Sequence, residues 1–167
     1  MPSRPALLLI ALLVAGSAVA EGVDLGDLHI SQPWSRALPP VSPNGAAYMV
    51  IANTGPGADA LIGASTPIAA RAEIHQHIHA DGVMRMMQVE EAAIEPGSQI
   101  EFKPGNHHIM LFDLNRPLRA GEAYPLTLHF KQAGDVEIQV QVQQDAPRTE
   151  SAAGHSGHPP SGAPHHH

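Results

Sequence analysis

Polar and apolar residues alternate most regularly near the end of the chain, where Val136, Ile138, Val140 and Val142 interleave with Glu137, Gln139, Gln141 and Gln143. A period of two sends the aliphatic set to one side of an extended strand and the polar set to the other, which predicts a half-buried strand. Tyr124, Leu126, Leu128 and Phe130 repeat the pattern just upstream, and Gly134 lies in the short segment between, so the two runs predict a hairpin. Further strands are predicted over Asp27 to Ser31, Ala46 to Asn53, Ala60 to Ser65, Arg71 to His79, Val83 to Val89, Gln99 to Phe102 and His107 to Phe112. Helical periodicity is scarce. Gly, Pro and Asn punctuate the runs about every ten residues, and roughly eight or nine strands in so short a span predict an all-β fold, an antiparallel β-sandwich.

Both ends of the chain depart from this pattern. Arg4 precedes an apolar run from Leu7 to Val14, and Ala18-Val19-Ala20 forms an A-x-A cleavage signature before Glu21. Residues 1–20 therefore read as a secretory signal peptide, too short in its apolar part to span a bilayer in the usual way. No membrane span is expected once it is removed, and the mature protein is expected in the bacterial periplasm. Beyond Asp145 the chain is Pro, Gly, Ser, Ala and His with almost no large apolar side chain, too little to bury for independent folding. The expected division is a signal peptide over 1–20, a β-sandwich domain over 21–145 and a disordered His-rich tail over 146–167.

Composition narrows the function. Without residues 1–20 the chain holds 8 basic and 16 acidic side chains, a formal charge of −8, which argues against nucleic acid or anionic lipid as a partner. There is no cysteine. An exported protein without cysteine has no disulfide, no thiolate ligand and no thiol redox chemistry, which excludes a blue-copper electron carrier and a thioredoxin-like reductase.

Candidate chemistry concentrates in two segments. In the first, His75, His77 and His79 share one face of a strand while Ile74 and Ile78 take the other. Asp81-Gly82 is a hairpin turn signal, and the return strand carries Met84 and Met86 on a common face. A two-residue turn there places Met86 opposite His77 and diagonal to His75, within reach of either imidazole. In the second segment His108-Ile109-Met110 sets an imidazole and a thioether on the same side of one strand, a two-residue chelating clip. Thioether sulfur is a soft donor that favours Cu(I), whereas zinc prefers thiolate, imidazole or carboxylate, so two Met with two His point to copper. Calcium and magnesium need convergent oxygens that this sequence lacks.

The pattern of His75, ten residues, Met86, twenty-one residues and His108-x-Met110 resembles the signature of the PCu(A)C family of periplasmic copper chaperones. The surrounding Ala72-Glu73-Ile74-His75, Gly82-Val83-Met84-Arg85-Met86, Pro104 to Leu111 and Ala46-Ala47-Tyr48-Met49 segments are similar to that family too, over about residues 26–143. The resemblance implies a cupredoxin-like β-sandwich and a Cu(I) site made by His75, Met86, His108 and Met110, choosing His75 over His77. It also implies delivery of copper to the copper A centre of cytochrome c oxidase, alongside a Sco-type copper chaperone.

Other histidines and methionines have plainer readings. Met84 and Met87 are expected to fill core space, the commoner use of methionine. His77, His79 and His107 are expected to be solvated or to support a ligand imidazole, and His29 and His129 to be ordinary surface residues. His155, His158 and His165 to His167 in the tail are candidate ligands for Cu(II), read as native sequence, with the suggestion that they gather oxidised copper. No catalytic set stands out: there is no G-x-S-x-G elbow, no Cys nucleophile and no H-E-x-x-H helix, so the protein is expected not to be an enzyme. The alternatives to delivery are copper storage or detoxification, a copper oxygenase, and a structural β-sandwich interaction module.

Overall fold

The computed structural model describes residues 22–147 apart from Asp81. The expected signal peptide over 1–20 and the tail from residue 148 onward, with all its histidines, lie outside the described residues. Eleven strands lie among the described residues: β1 (Val23–Leu25), β2 (Leu28–Arg36), β3 (Gly45–Asn53), β4 (Asp59–Ser65), β5 (Ala69–Ala80), β6 (Val83–Gln88), β7 (Ala92–Ile94), β8 (Gln99–Phe102), β9 (His108–Leu114), β10 (Ala123–Phe130) and β11 (Gly134–Gln143). Among the described residues no helix is long and apolar enough to cross a membrane.

The alternation seen in the sequence sets the layers. Val136 pairs with Leu128, Ile138 with Leu126 and Val140 with Tyr124 across the β10–β11 hairpin. Tyr124, Leu126, Leu128, Ile138 and Val140 are all buried, and the intervening Glu137 and Gln139 stay exposed. Facing them from other strands are Ile30, Met49, Ile51, Ile74, Ile109 and Leu111. The ladder runs β2-β11-β10-β4-β5-β9-β3 and returns to β2 through the β2–β3 pairing, so the sandwich closes into a ring of seven strands and leaves β1, β6, β7 and β8 as side pairings. Closure removes the open edges that a two-sheet sandwich would otherwise have to protect. One pairing in the ring is parallel, that of β11 with β2. The fold is the expected all-β, cupredoxin-like sandwich.

Strands β1 and β7, three residues each, are too short to show a period and were not predicted, and β2 runs on to Arg36, past the predicted end at Ser31. Pro33 explains the last. A proline is tolerated where a strand bulges, and here Gln32 adopts a positive φ of 51° and the β2–β3 register shifts between Ser31 and Trp34. The extra residue reverses which face each side chain takes. Before the bulge Ile30 faces the core opposite Ile51; after it Ser35 faces the core opposite Ala47, and Trp34 turns outward onto Tyr48, with ring centroids 4.8 Å apart.

β5 carries the chemistry because it is longer than its neighbours. From Ala69 to His75 it pairs with β9, down to His75 opposite His108. Beyond that point it runs on with β6 as a hairpin, in the predicted register: His77 opposite Met86, His79 opposite Met84 and Ala80 opposite Val83. Gly82 takes φ 74° in the turn, a conformation that costs a glycine nothing and a side-chain-bearing residue something.

Candidate metal centre

Period two in β9 separates core from chemistry within three residues. Ile109 and Leu111 are fully buried in the core, while His108 and Met110 point to the outer face. Across the β5–β9 ladder the same outer face carries His75 opposite His108 and Glu73 opposite Met110. Ala46 and Tyr48 of β3 border it on the other side, Ala46 being the partner of Met110. A cleft of about 300 Å³ opens here, and His77, Met86, His108, Met110, Tyr48 and Gly105 are among its walls.

His108 is the hub. It is 4% exposed although it faces outward, because the Tyr48 ring lies 6.5 Å away and the His75 and His77 rings lie 5.8 and 5.2 Å away. Its Nδ1 reaches the Asn106 carbonyl at 3.3 Å, and its Nε2 lies 3.1 Å from the Met86 sulfur. A carbonyl oxygen is a far better acceptor than a thioether, so the proton sits on Nδ1 and Nε2 turns its lone pair toward Sδ. Two soft or borderline donors thus face one space. Burial holds the His108 pKa below the ordinary imidazole value; the Asn106 bond opposes this, and the neighbouring His77, His75 and His107 add to it. The ring is neutral, the form a metal requires.

His75 is set differently. Its Nε2 is 3.0 Å from Glu73 Oε2, and Glu73 in turn accepts from Arg71 at 2.8 Å. Arg71, Glu73 and His75 line up on one face of β5 by simple alternation, and the guanidinium rests 4.6 Å over the Phe112 ring. With Nε2–H donated to the carboxylate, Nδ1 carries the free lone pair. It is also the one buried side-chain nitrogen or oxygen among the described residues left without a hydrogen-bond partner. A buried orphan acceptor costs free energy unless something fills it, and a cation would. Carboxylate-oriented imidazole is the arrangement that metal-ligating histidines use.

The expected site residues therefore gather about one spot: His75, Met86 and Met110 each flank His108. His77 joins them. Read from sequence as a solvated or supporting residue, it lines the cleft, with Nδ1 3.4 Å from the same Asn106 carbonyl that holds His108. Glu73, Tyr48 and Asn106 went unassigned in the sequence. Only Glu73 carried a signal, its place two residues before His75. His107 packs against Phe102 at 5.6 Å between ring centroids. His29 and His129 pair with Asp24 and Asp135, and neither borders the cleft.

Met84 and Met87 need correction. Expected in the core, they are 52% and 49% exposed, as is Met86 at 49%. β6 pairs with β5 alone, and all six of its residues stay exposed, so no core closes over Met84 or Met87. Met49 is the methionine that fills the core.

A family model described as LpqE-like matches residues 28–142, nearly all of the described fold. The copper-bound PCuAC domain from PmoF2 is similar to this chain at 26% identity, with a TM-score of 0.63 over 76% of this chain and 99% of that domain. The chain belongs to the PCu(A)C family. The apo PCuAC domain from PmoF1 is 28% identical with a TM-score of 0.64, over 76% of this chain and all of that one. CuI-DR1885 from Deinococcus radiodurans is 26% identical with a TM-score of 0.59, over 78% and 86% of the two chains. By sequence, RP573 of Rickettsia prowazekii is 33% identical over 72% of this chain and 68% of its own. The protein named "Putative lipoprotein Lxx21020" from Leifsonia xyli subsp. xyli is 28% identical over 86% of each.

Proposed function

We propose that this PCu(A)C protein is a periplasmic copper chaperone that carries Cu(I) between His75, Met86, His108 and Met110 and delivers it to the copper A centre of cytochrome c oxidase. Copper-binding domains among its structural relatives support the copper chaperone role, and the lipoprotein descriptions of its family and of the Leifsonia relative support export. The observation that carries the ligand set is the meeting of Met86 Sδ with the unprotonated Nε2 of the buried His108, beside the orphaned Nδ1 of His75. Two thioethers with imidazole favour Cu(I) over hard or borderline ions.

The same residues support carriage rather than catalysis. Met86 comes from an exposed strand and Met110 from the open side of β9, so an incoming thiolate, imidazole or thioether of an acceptor can displace a thioether while His108 still holds the ion. Copper then passes by ligand exchange without being released. The acidic exported chain suits an acceptor with a basic rim around its copper site. Histidines of the tail are candidates for holding Cu(II) before its reduction, and a Sco-type protein is a candidate companion.

The test is an anaerobic Cu(I) titration against a competing chromogenic chelator, run on the native protein and on Met86→Leu and His108→Ala. One tight equivalent, weakened in both variants, is expected, followed by transfer to an oxidase copper A domain on mixing. Chelator-competitive binding that neither variant affects would overturn the ligand set, and retention of copper in the presence of the acceptor would favour storage.

A further inference from the structure

Four of the six large hydrophobic side chains left exposed among the described residues lie on β6: Val83, Met84, Met86 and Met87. Met86 is accounted for by the cleft. Met84 is not, and its partner across the hairpin is another uncommitted metal-ligating residue, His79.

The hydrogen-bond pattern shows how close this pair stands. His77 N–H is directed to the Asn106 carbonyl, away from β6, while Val89 N–H bonds the Ile74 carbonyl. The ladder bonds between β5 and β6 therefore fall at even-numbered residues of β5, and His77–Met86 and His79–Met84 are the non-bonded pairs. Such pairs bring their Cα atoms to about 4.5 Å and their side chains closest. Both pairs share one face, because directly opposite residues point the same way and the two pairs are two residues apart. The result is a ladder of imidazole and thioether: His79 with Met84, then His77 with Met86 about 7 Å further along, then His108 and Met110 in the cleft, with His75 opposite His108. His77 belongs to the ladder and the cleft at once, since it borders the cleft from β5.

Resting on the copper-carrier reading, we propose that His79 and Met84 form a second, outer position for a soft monovalent cation, from which Cu(I) steps by way of His77 and Met86 into the inner site. One nitrogen and one thioether sulfur with no carboxylate opposite select Cu(I) over divalent ions. Its exposure to water makes it weaker than the inner position, which suits a landing point. Each step exchanges one ligand for another of the same type on the same face, so no bond to copper breaks before its replacement forms.

The test uses the full chain labelled at its methionine methyl groups. It is titrated anaerobically with Cu(I), and in parallel with Ag(I) as a soft cation that cannot change oxidation state here, and followed by methyl NMR. The Met86 and Met110 methyl signals are expected to move first and the Met84 signal later, at higher metal. In His79→Ala the Met84 shift is lost while the Met86 and Met110 shifts remain; in His79→Met, which restores a soft donor, the Met84 shift returns. The tail histidines are themselves candidate metal ligands, so the Met84 signal and not the stoichiometry decides. A Met84 signal that stays still well past saturation of Met86 and Met110, or that moves equally in His79→Ala, would overturn the outer position and leave the carrier reading intact. Failure of Met86 and Met110 to move would overturn the carrier reading instead.

Discussion

Two histidines of the site are held through opposite ring nitrogens, and the difference is decided by what each ring nitrogen touches. Asn106 takes the Nδ1 proton of His108 and leaves Nε2 free, whereas Glu73 takes the Nε2 proton of His75 and leaves Nδ1 free. Glu73 is the more consequential of the two holders because its carboxylate is charged and only 18% exposed. Glu73→Gln keeps the shape but replaces a bond to a carboxylate by a bond to a neutral amide, weakening the hold on the His75 ring. Cu(I) affinity is expected to fall by roughly 10-fold or more, in the range seen for partners of metal-ligating histidines. The urea midpoint should barely move, since glutamine keeps the shape and Arg71, 58% exposed, is screened by water in its pair with Glu73. Chelator competition and urea melts on the same sample check both halves.

At the scale of the element, β9 does two jobs by parity alone. His108 and Met110 face the cleft, and Ile109 between them is fully buried against the core. Stability and copper binding should therefore respond separately to neighbouring substitutions. Ile109→Ala is expected to cost roughly 2–5 kcal/mol, the range for truncating a buried aliphatic side chain. Met110→Leu, similar in volume and only partly buried, should cost less than about 1.5 kcal/mol yet weaken Cu(I) binding by removing a proposed ligand. Urea denaturation of the metal-free proteins measures the first effect and chelator competition the second. The β5–β6 hairpin follows the same logic with the opposite outcome. Its outer strand β6 pairs with β5 alone, so residues on both faces of β6 meet water although Met86 also reaches His108.

Across the whole molecule, closure of the sheet through β2 and β3 fixes the position of Tyr48 and, with it, the burial of His108. That burial has a consequence for stability against pH. His108 and His107 both have pKa values lowered by desolvation, so on acidification the unfolded chain takes up their protons first. Their contribution is present above the ordinary imidazole value near 6.5 and is lost as pH falls toward the lower folded values. At the alkaline end Tyr124, buried beside Ser35, has its phenol pushed upward, so stability falls as pH rises past the ordinary value near 10 and the unfolded chain ionises. Chemical denaturation of metal-free protein from pH 5 to pH 11 should trace a dome with its plateau between these limits. His108→Gln should flatten the acidic side.

The sequence by itself determined the strands whose two faces differ in polarity, because a period of two is visible wherever one face is buried. It determined the β5–β6 register, because Asp81-Gly82 leaves few ways to turn, and it determined the donor types, because thioether and imidazole without thiolate admit few metals. The tertiary structure decided the rest. Short β1 and β7 carry too few residues for a period, and the bulge at Gln32 hid the outward turn of Trp34 behind a proline. Whether Met84 and Met87 were core or surface depended on β6 pairing with β5 alone, with no core closing over it. Which nitrogen of each histidine is free, and that His77 borders the cleft, depended on Glu73 and on the Asn106 carbonyl. Such contacts join strands that pair only when the barrel closes, and no local pattern encodes them.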